Sequence, residues 1–308
     1  MIMGIVMELL LRNIPNDYKL KNEYLDSNSH EIETLILGNS HSYYGLNPEY
    51  FYDRTYNASY VSQSLKYDLE ILKKHENNFR RLKTIVLPIS YFSLYSSLED
   101  EAESWRIKNY TIYYGMKSYK SIRAHSELFS HEFSVNVKRI ISHYLFDSSF
   151  VTSSYLGWGV NYSSGNATDL FESGNNAAKR HTKNIDSEKY KEIYNDNTSI
   201  LEAIIQWCKG NDVRIITLIP PTFETYRDKL DPGQLEKSIS TIQDVCLNYD
   251  NCKFFNLHSD LNFTAKDFYD ADHLSEIGAE KLSRLINNAI TEWHKGSKCD
   301  SSRSYGAW

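Results

Sequence analysis

Five short apolar runs, separated by stretches with helical spacing, constrain this 308-residue chain more than any other feature. The runs are Glu33–Gly38, Thr55–Ala58, Thr84–Ile89, Val213–Ile219 and Lys253–Leu257. Four are rich in Ile, Leu, Val or Phe and most end at or beside a Gly or Pro, as buried strands do, while Thr55–Ala58 reads as a shorter strand without those residues. Between them, Ser64–Phe79 sets Leu65, Leu69 and Leu72 on one helical face, with charges on the other. Ser187–Cys208 and Pro232–Leu247 read as further helices, the second with its proline in the first turn, and Ser275–Trp293 closes the series. Strands that alternate with helices pair in parallel through right-handed crossovers. The expected fold class is therefore α/β: one flavodoxin-like, three-layer α/β/α domain around a central parallel sheet.

Three segments stand outside that rhythm. Residues 95–185 lose it and read as an insertion of helices and loops between the third and fourth strands, since so long a stretch without structure is rare in a compact domain. Its aromatics, among them Tyr110, Tyr113, Tyr114, Trp158 and Tyr162, either line a cleft or form the insertion's own core. Residues 1–30 open with an apolar stretch too short to span a bilayer. That stretch reads equally as the end of a truncated membrane anchor and as a short amphipathic helix packed on the domain. Residues 295–308 read as a polar tail, which leaves 31–294 as the main domain.

The charge narrows the partners. A net charge of −6 and no concentrated Lys/Arg stretch argue against nucleic acid. The 24 tyrosines suit half-buried strands or sugar-binding clefts, and equally a biased base composition of the source. Four cysteines without a Cys-x-x-Cys pair make a zinc site improbable. Cys246 and Cys252 form a bridge if the compartment is oxidising, or remain free thiols.

In a parallel sheet, active sites gather beyond the carboxyl ends of the strands. Two sequence features fall there. Gly38-Asn39-Ser40-His41 follows the first run, where a serine opening a helix presents its hydroxyl and its backbone N–H at the sheet end. Tyr269-Asp270-Ala271-Asp272-His273 precedes the last helix. A serine hydroxyl needs a base, and the base needs a carboxylate to fix its tautomer. Asp270 and His273, three apart in a turn, can supply both. A rival reading gathers Asp270, Asp272, His273, His258 and Asp260 into a metal site, but no ligand geometry is fixed by their spacing, and no metal is expected.

With these two motifs the chain resembles the SGNH (GDSL-like) hydrolase superfamily, most of all the cell-envelope carbohydrate O-acyltransferases and esterases that open with Gly-x-Ser-His. The resemblance spans roughly 31–92 and 211–290, with Gly278 following in the closing helix. It implies a catalytic triad of Ser40, His273 and Asp270, no cofactor, an acylated glycan or small ester as substrate, and an extracytoplasmic, cell-envelope location, a cytoplasmic one staying open. In the family's second block a Gly supplies an oxyanion N–H, but here Ser62 stands at that position. The third block's Asn is missing, which leaves Ser90 or Tyr91 to substitute. His41, Asn57 and Gln63 are candidate substrate-binding residues. The alternative is a glycan-binding or scaffold domain that keeps the fold without catalysis; a Ser40–His273 separation beyond hydrogen-bond reach would favour it.

Overall fold

The computed structural model describes residues 2–117 and 122–301. The five apolar runs become five strands, each within about two residues of its expected bounds: β1 Thr34–Ile36, β2 Thr55–Asn57, β3 Thr84–Pro88, β4 Arg214–Ile219 and β5 Cys252–Asn256. All pair in parallel, in the order β2-β1-β3-β4-β5. This is the flavodoxin-like doubly wound order, with β1 and β3 at the switch point. The chain is thus α/β, a five-stranded parallel sheet between two layers of helices.

Strand side chains alternate between the faces, so neighbouring residues enter different cores. Leu35, Ile85 and Ile215 join one core and Ile36, Val86 and Ile216 the other. The first core is covered by α4 (Leu65–His75), α9 (Glu188–Gly210) and α11 (Pro232–Leu247), through Leu69, Leu201 and Ile242 among others. The second is covered by α12 (Glu276–Ser301), through Leu282, Ile286 and Ile290. The short helix α3 (Ser40–Gly45) packs beside α12. α12 runs into the segment expected as a tail, and residues 302–308 lie outside the described residues.

Two helices precede the sheet. Of α1 (Ile2–Asn13), Leu11 is buried while Ile2, Met3, Ile5, Val6 and Leu9 face solvent. α2 (Asp17–Asn28) is capped by Asn16, whose side chain accepts from Lys19 N, and it enters the first core through Tyr18 and Leu25. Tyr18 stacks on Tyr60 and Tyr24 on Tyr56, both with centroids 4.0 Å apart.

The insertion holds α5 (Ile107–Tyr113), α6 (Glu127–Ser130), α7 (Phe133–Phe146) and α8 (Leu170–His181). Its aromatics divide between the sheet's first core and the cleft rather than forming a core of the insertion's own. Tyr110 and Tyr114 are fully buried in the first core, whereas Tyr162 reaches the carboxyl ends of the strands. After the insertion and β4, α10 (Glu224–Arg227) packs against α8. Cys246 and Cys252 form a disulfide that ties the end of α11 to the start of β5. Cys208 is a buried thiol, its pKa pushed up by burial.

Candidate active site

β1 leads into Leu37-Gly38, where Gly38 takes φ 111°, a conformation that side chains rarely adopt. A Cβ there would also collide with Ser42 Oγ. The turn lets Asn39 cap α3, its side chain accepting from His41 N at 3.0 Å. Ser40 is then the first helical residue, and its own N–H has no acceptor within the helix.

On the other side of the cleft, Phe268 and Leu274 form an antiparallel bridge, and Tyr269 N donates to His273 O at 3.0 Å. Inside this turn one Asp270 oxygen accepts from Asp272 N (3.1 Å) and His273 N (2.7 Å). The same carboxylate meets His273 Nδ1 at 3.0 and 3.1 Å. That fixes the ring, whose Nε2 lies 2.8 Å from Ser40 Oγ. The three residues expected to act together are thus in continuous hydrogen-bond contact.

A second carboxylate lies beneath. Asp272 is almost fully buried, 3.6 Å from His273 Nδ1, 3.4 Å from His41 Nε2 and 3.8 Å from His181 Nδ1. Burial alone would raise its pKa, but the surrounding imidazoles, His273 first, hold it well below the usual range. Burial likewise pulls His273 down, yet Asp270 and Asp272 outweigh it and hold the ring well above its usual value. His41 and His181 have their pKa lowered by burial, so both are poised as neutral rings.

The remaining candidates separate. Ser62 takes φ 60° and lines the cavity, so serine has adopted the backbone that the expected glycine would use. Gln63 also lines the cavity, bonded to Asp68 Oδ1 (2.6 Å) and to Tyr110 Oη (2.8 Å). His41, next to Ser40 in α3, bonds Ser90 Oγ at 2.7 Å. Three expectations need correction. Ser90 Oγ is enclosed between Asn39 and His41, so its hydroxyl faces no oxyanion. Tyr91 turns its hydroxyl towards Thr182 Oγ1 and Asp231 N, both at 3.1 Å. Asn57 is wholly buried, donating to Ser42 O (2.9 Å) and Leu46 O (2.8 Å), which makes it a tie between β2 and α3.

His41, Asp272 and His273 offer ligating atoms within 4.8 Å of one another. His273 spends both ring nitrogens on Asp270 and Ser40, so a cation would have to displace the triad contacts. His258 bonds Thr222 instead and takes no part.

The cavity in front of Ser40 measures about 340 Å³. Val61, Leu65 and Leu98 give it apolar walls; Arg180 and Glu101 add charge. Tyr162 reaches in from the insertion, stacked between Tyr44 (3.6 Å) and Tyr269 (3.8 Å) with its edge contact on His273 at 5.3 Å. Sequence reasoning missed Asp68, which accepts from Gly38 N at 2.7 Å. Burial pushes this carboxyl up to about 7. Its one sequence signal is an acidic residue among the apolar positions of an amphipathic helix.

No protein family and no curated protein matches the chain. Among solved structures, one named for a platelet activating factor from Streptococcus pneumonia aligns over 94% of this chain and 98% of its own. The identity is 15% and the TM-score 0.46. A likeness of that size carries no argument about chemistry.

Proposed function

We propose that this protein is an SGNH-type serine esterase or O-acyltransferase acting on acyl esters, acetyl first, of carbohydrate. One observation carries the reading: Ser40 Oγ at 2.8 Å from a His273 ring whose other nitrogen is held by Asp270. In the first step, His273 Nε2 takes the Ser40 proton while Oγ bonds the ester carbonyl carbon. In this reading the N–H groups of Ser40 and Ser62 receive the resulting oxyanion. The alkoxide then departs with the proton from His273, leaving an acyl-enzyme. Water attacks this intermediate in an esterase and a sugar hydroxyl in a transferase, each giving its proton to His273, which returns it to Ser40 Oγ as the acyl–Oγ bond breaks.

The Cys246–Cys252 disulfide favours an oxidising, extracytoplasmic compartment. The second reading is a glycan-binding domain without turnover. Its support is the enclosed Ser90 hydroxyl, which leaves the oxyanion without a side-chain donor; loss of one donor costs about 10²–10³ in rate.

Hydrolysis of p-nitrophenyl acetate separates the two. The wild type is expected to release nitrophenol, and Ser40→Ala and His273→Ala to lose about 10³-fold or more. Three equally inert proteins, also inert in acetyl transfer to sugar acceptors, would leave the binding reading.

A further inference from the structure

α4 carries one carboxyl on its inward face. Leu65, Leu69 and Leu72 belong to the first core, and Asp68 stands among them, 1% exposed. Burying a carboxyl costs free energy unless its oxygens are satisfied, so packing alone would favour another apolar side chain there. Its contacts lie at the site instead. Oδ1 accepts from Gly38 N at 2.7 Å and from Gln63 Nε2 at 2.6 Å. Oδ2 is buried and makes no hydrogen bond among the described residues. The hydrogen bonding of this carboxyl therefore goes to two segments: the one that leads from β1 into Ser40, and the loop after β2 that carries Ser62.

Both segments depart from ordinary backbone. Gly38 takes φ 111°, two residues before Ser40, and Ser62 takes φ 60°, one residue before Gln63. A residue with a Cβ stays in the left-handed region only where its surroundings fix it. Here the Gln63 side chain is fixed at both ends, since Nε2 donates to Asp68 and Oε1 accepts from Tyr110 Oη at 2.8 Å. Gln63 N donates to Tyr60 O, and Tyr60 N donates to Gly38 O, each at 3.3 Å. The last contact joins the two segments backbone to backbone, and Asp68 joins them again through a single oxygen.

We propose that Asp68 is a positioning residue that locks the Ser40 and Ser62 segments in one arrangement, and with them the two backbone N–H groups assigned to the oxyanion. The role rests on the acyl-transfer reading of Ser40. Asp68 acts through Gly38 and Gln63. Oxyanion stabilisation is felt in the transition state rather than in ground-state binding, so loss of the lock should lower kcat and leave KM nearly unchanged.

The test compares the full chain as wild type, Asp68→Ala, Asp68→Asn and Leu69→Ala in steady-state hydrolysis of p-nitrophenyl acetate, with amide hydrogen exchange read on the same proteins. Leu69 packs in the first core beside Asp68 in the chain, so its variant loosens α4 without touching the carboxyl. Asp68→Ala is expected to lower kcat roughly 10²-fold at nearly constant KM. Asp68→Asn keeps an oxygen for both donors, as a neutral and weaker acceptor, and should recover about tenfold of that loss. Leu69→Ala should leave kcat near the wild-type value. At Gly38 and across residues 59–64, exchange should quicken roughly tenfold in Asp68→Ala and not in Leu69→Ala. A wild type that neither hydrolyses the ester nor transfers acetyl sinks the acyl-transfer reading, and this role with it. An active wild type whose kcat and exchange Asp68→Ala leaves unchanged, or whose kcat Leu69→Ala lowers as far, overturns the lock alone. So does a rise in KM at constant kcat, which would make Asp68 a substrate contact, since it also lines the cavity.

Discussion

Two carboxylates of one turn reach the same imidazole. Asp270 both fixes the His273 ring and is itself fixed by two backbone N–H groups. Asp272, 3.6 Å from the same Nδ1, adds negative charge from beneath. In the proposed reaction the neutral ring is the form that takes the Ser40 proton, so a raised pKa moves the rising limb of the pH–rate profile to the alkaline side. Asp272→Asn removes one charge and leaves Asp270 in place. The imidazolium is then less stabilised, its pKa falls, and the rising limb of kcat/KM should move to lower pH. Asp270→Asn is different, because the ring loses its holder: about a 10⁴-fold fall in kcat is expected at every pH. A limb that stays put in Asp272→Asn would show that Asp272 does not couple to the base.

At the scale of elements, the strands were legible because a parallel sheet buried on both faces needs continuous apolar runs. Ser40 and His273 were legible because their chemistry needs particular residue types at strand and helix ends. Polar residues that face inward were not. Asp68 read as an ordinary helical charge and Lys21 lay in an N-terminal segment without an assigned element, since periodicity assigns a charge to solvent unless its partner is known. Lys21 of α2 is in fact buried between the faces of Tyr43 and Tyr60, 4.5 Å from each centroid, and donates to Ser59 O at 2.5 Å. It thereby props the loop that carries Ser62. Burial lowers its pKa to about 7, against the pull of Asp17. Between pH 7 and about 10.4 the unfolded chain keeps that proton and the folded one does not, so Lys21 makes stability rise with pH. His273, with a raised pKa, gives the opposite slope but is common to wild type and variant. The stability of Lys21→Met relative to wild type should therefore fall by about 2–3 kcal/mol between pH 7.5 and pH 9.5. Urea midpoints at the two pH values measure this, and a constant difference would place the lysine's charge in solvent. The same variant should lower kcat, since the Ser59 carbonyl loses its donor.

For the whole molecule, what matters is how many cores there are to lose. The sequence divides naturally at residue 31, where the sheet begins, and the insertion reads as an addition between strands. Packing joins these parts. The first core holds Tyr18 and Leu25 of α2, Leu35 and Ile85 of the sheet, Tyr110 and Tyr114 of the insertion, and Leu201 of α9. Gly157 presses the insertion against β2 so closely that a Cβ would strike the Asn57 carbonyl, and Asn57 N donates to Leu156 O at 3.0 Å. Such contacts were invisible to periodicity because they join segments far apart in the chain. They predict that residues 1–28 are needed for folding. Removing them strips two tyrosine stacks worth about 0.5–1.5 kcal/mol each beyond their buried area, and a fully buried leucine worth about 1.5–3. The Ser59 carbonyl is left without its donor at about 1–3 kcal/mol more. The total is comparable to the 5–15 kcal/mol by which a domain is stable at all. In scanning calorimetry the full chain should give one cooperative transition, and the chain from residue 29 onward none, with bound hydrophobic dye in its place. A truncated chain that melts cooperatively and still hydrolyses p-nitrophenyl acetate would instead set the start of the folding unit at the sheet and reduce α2 to a covering.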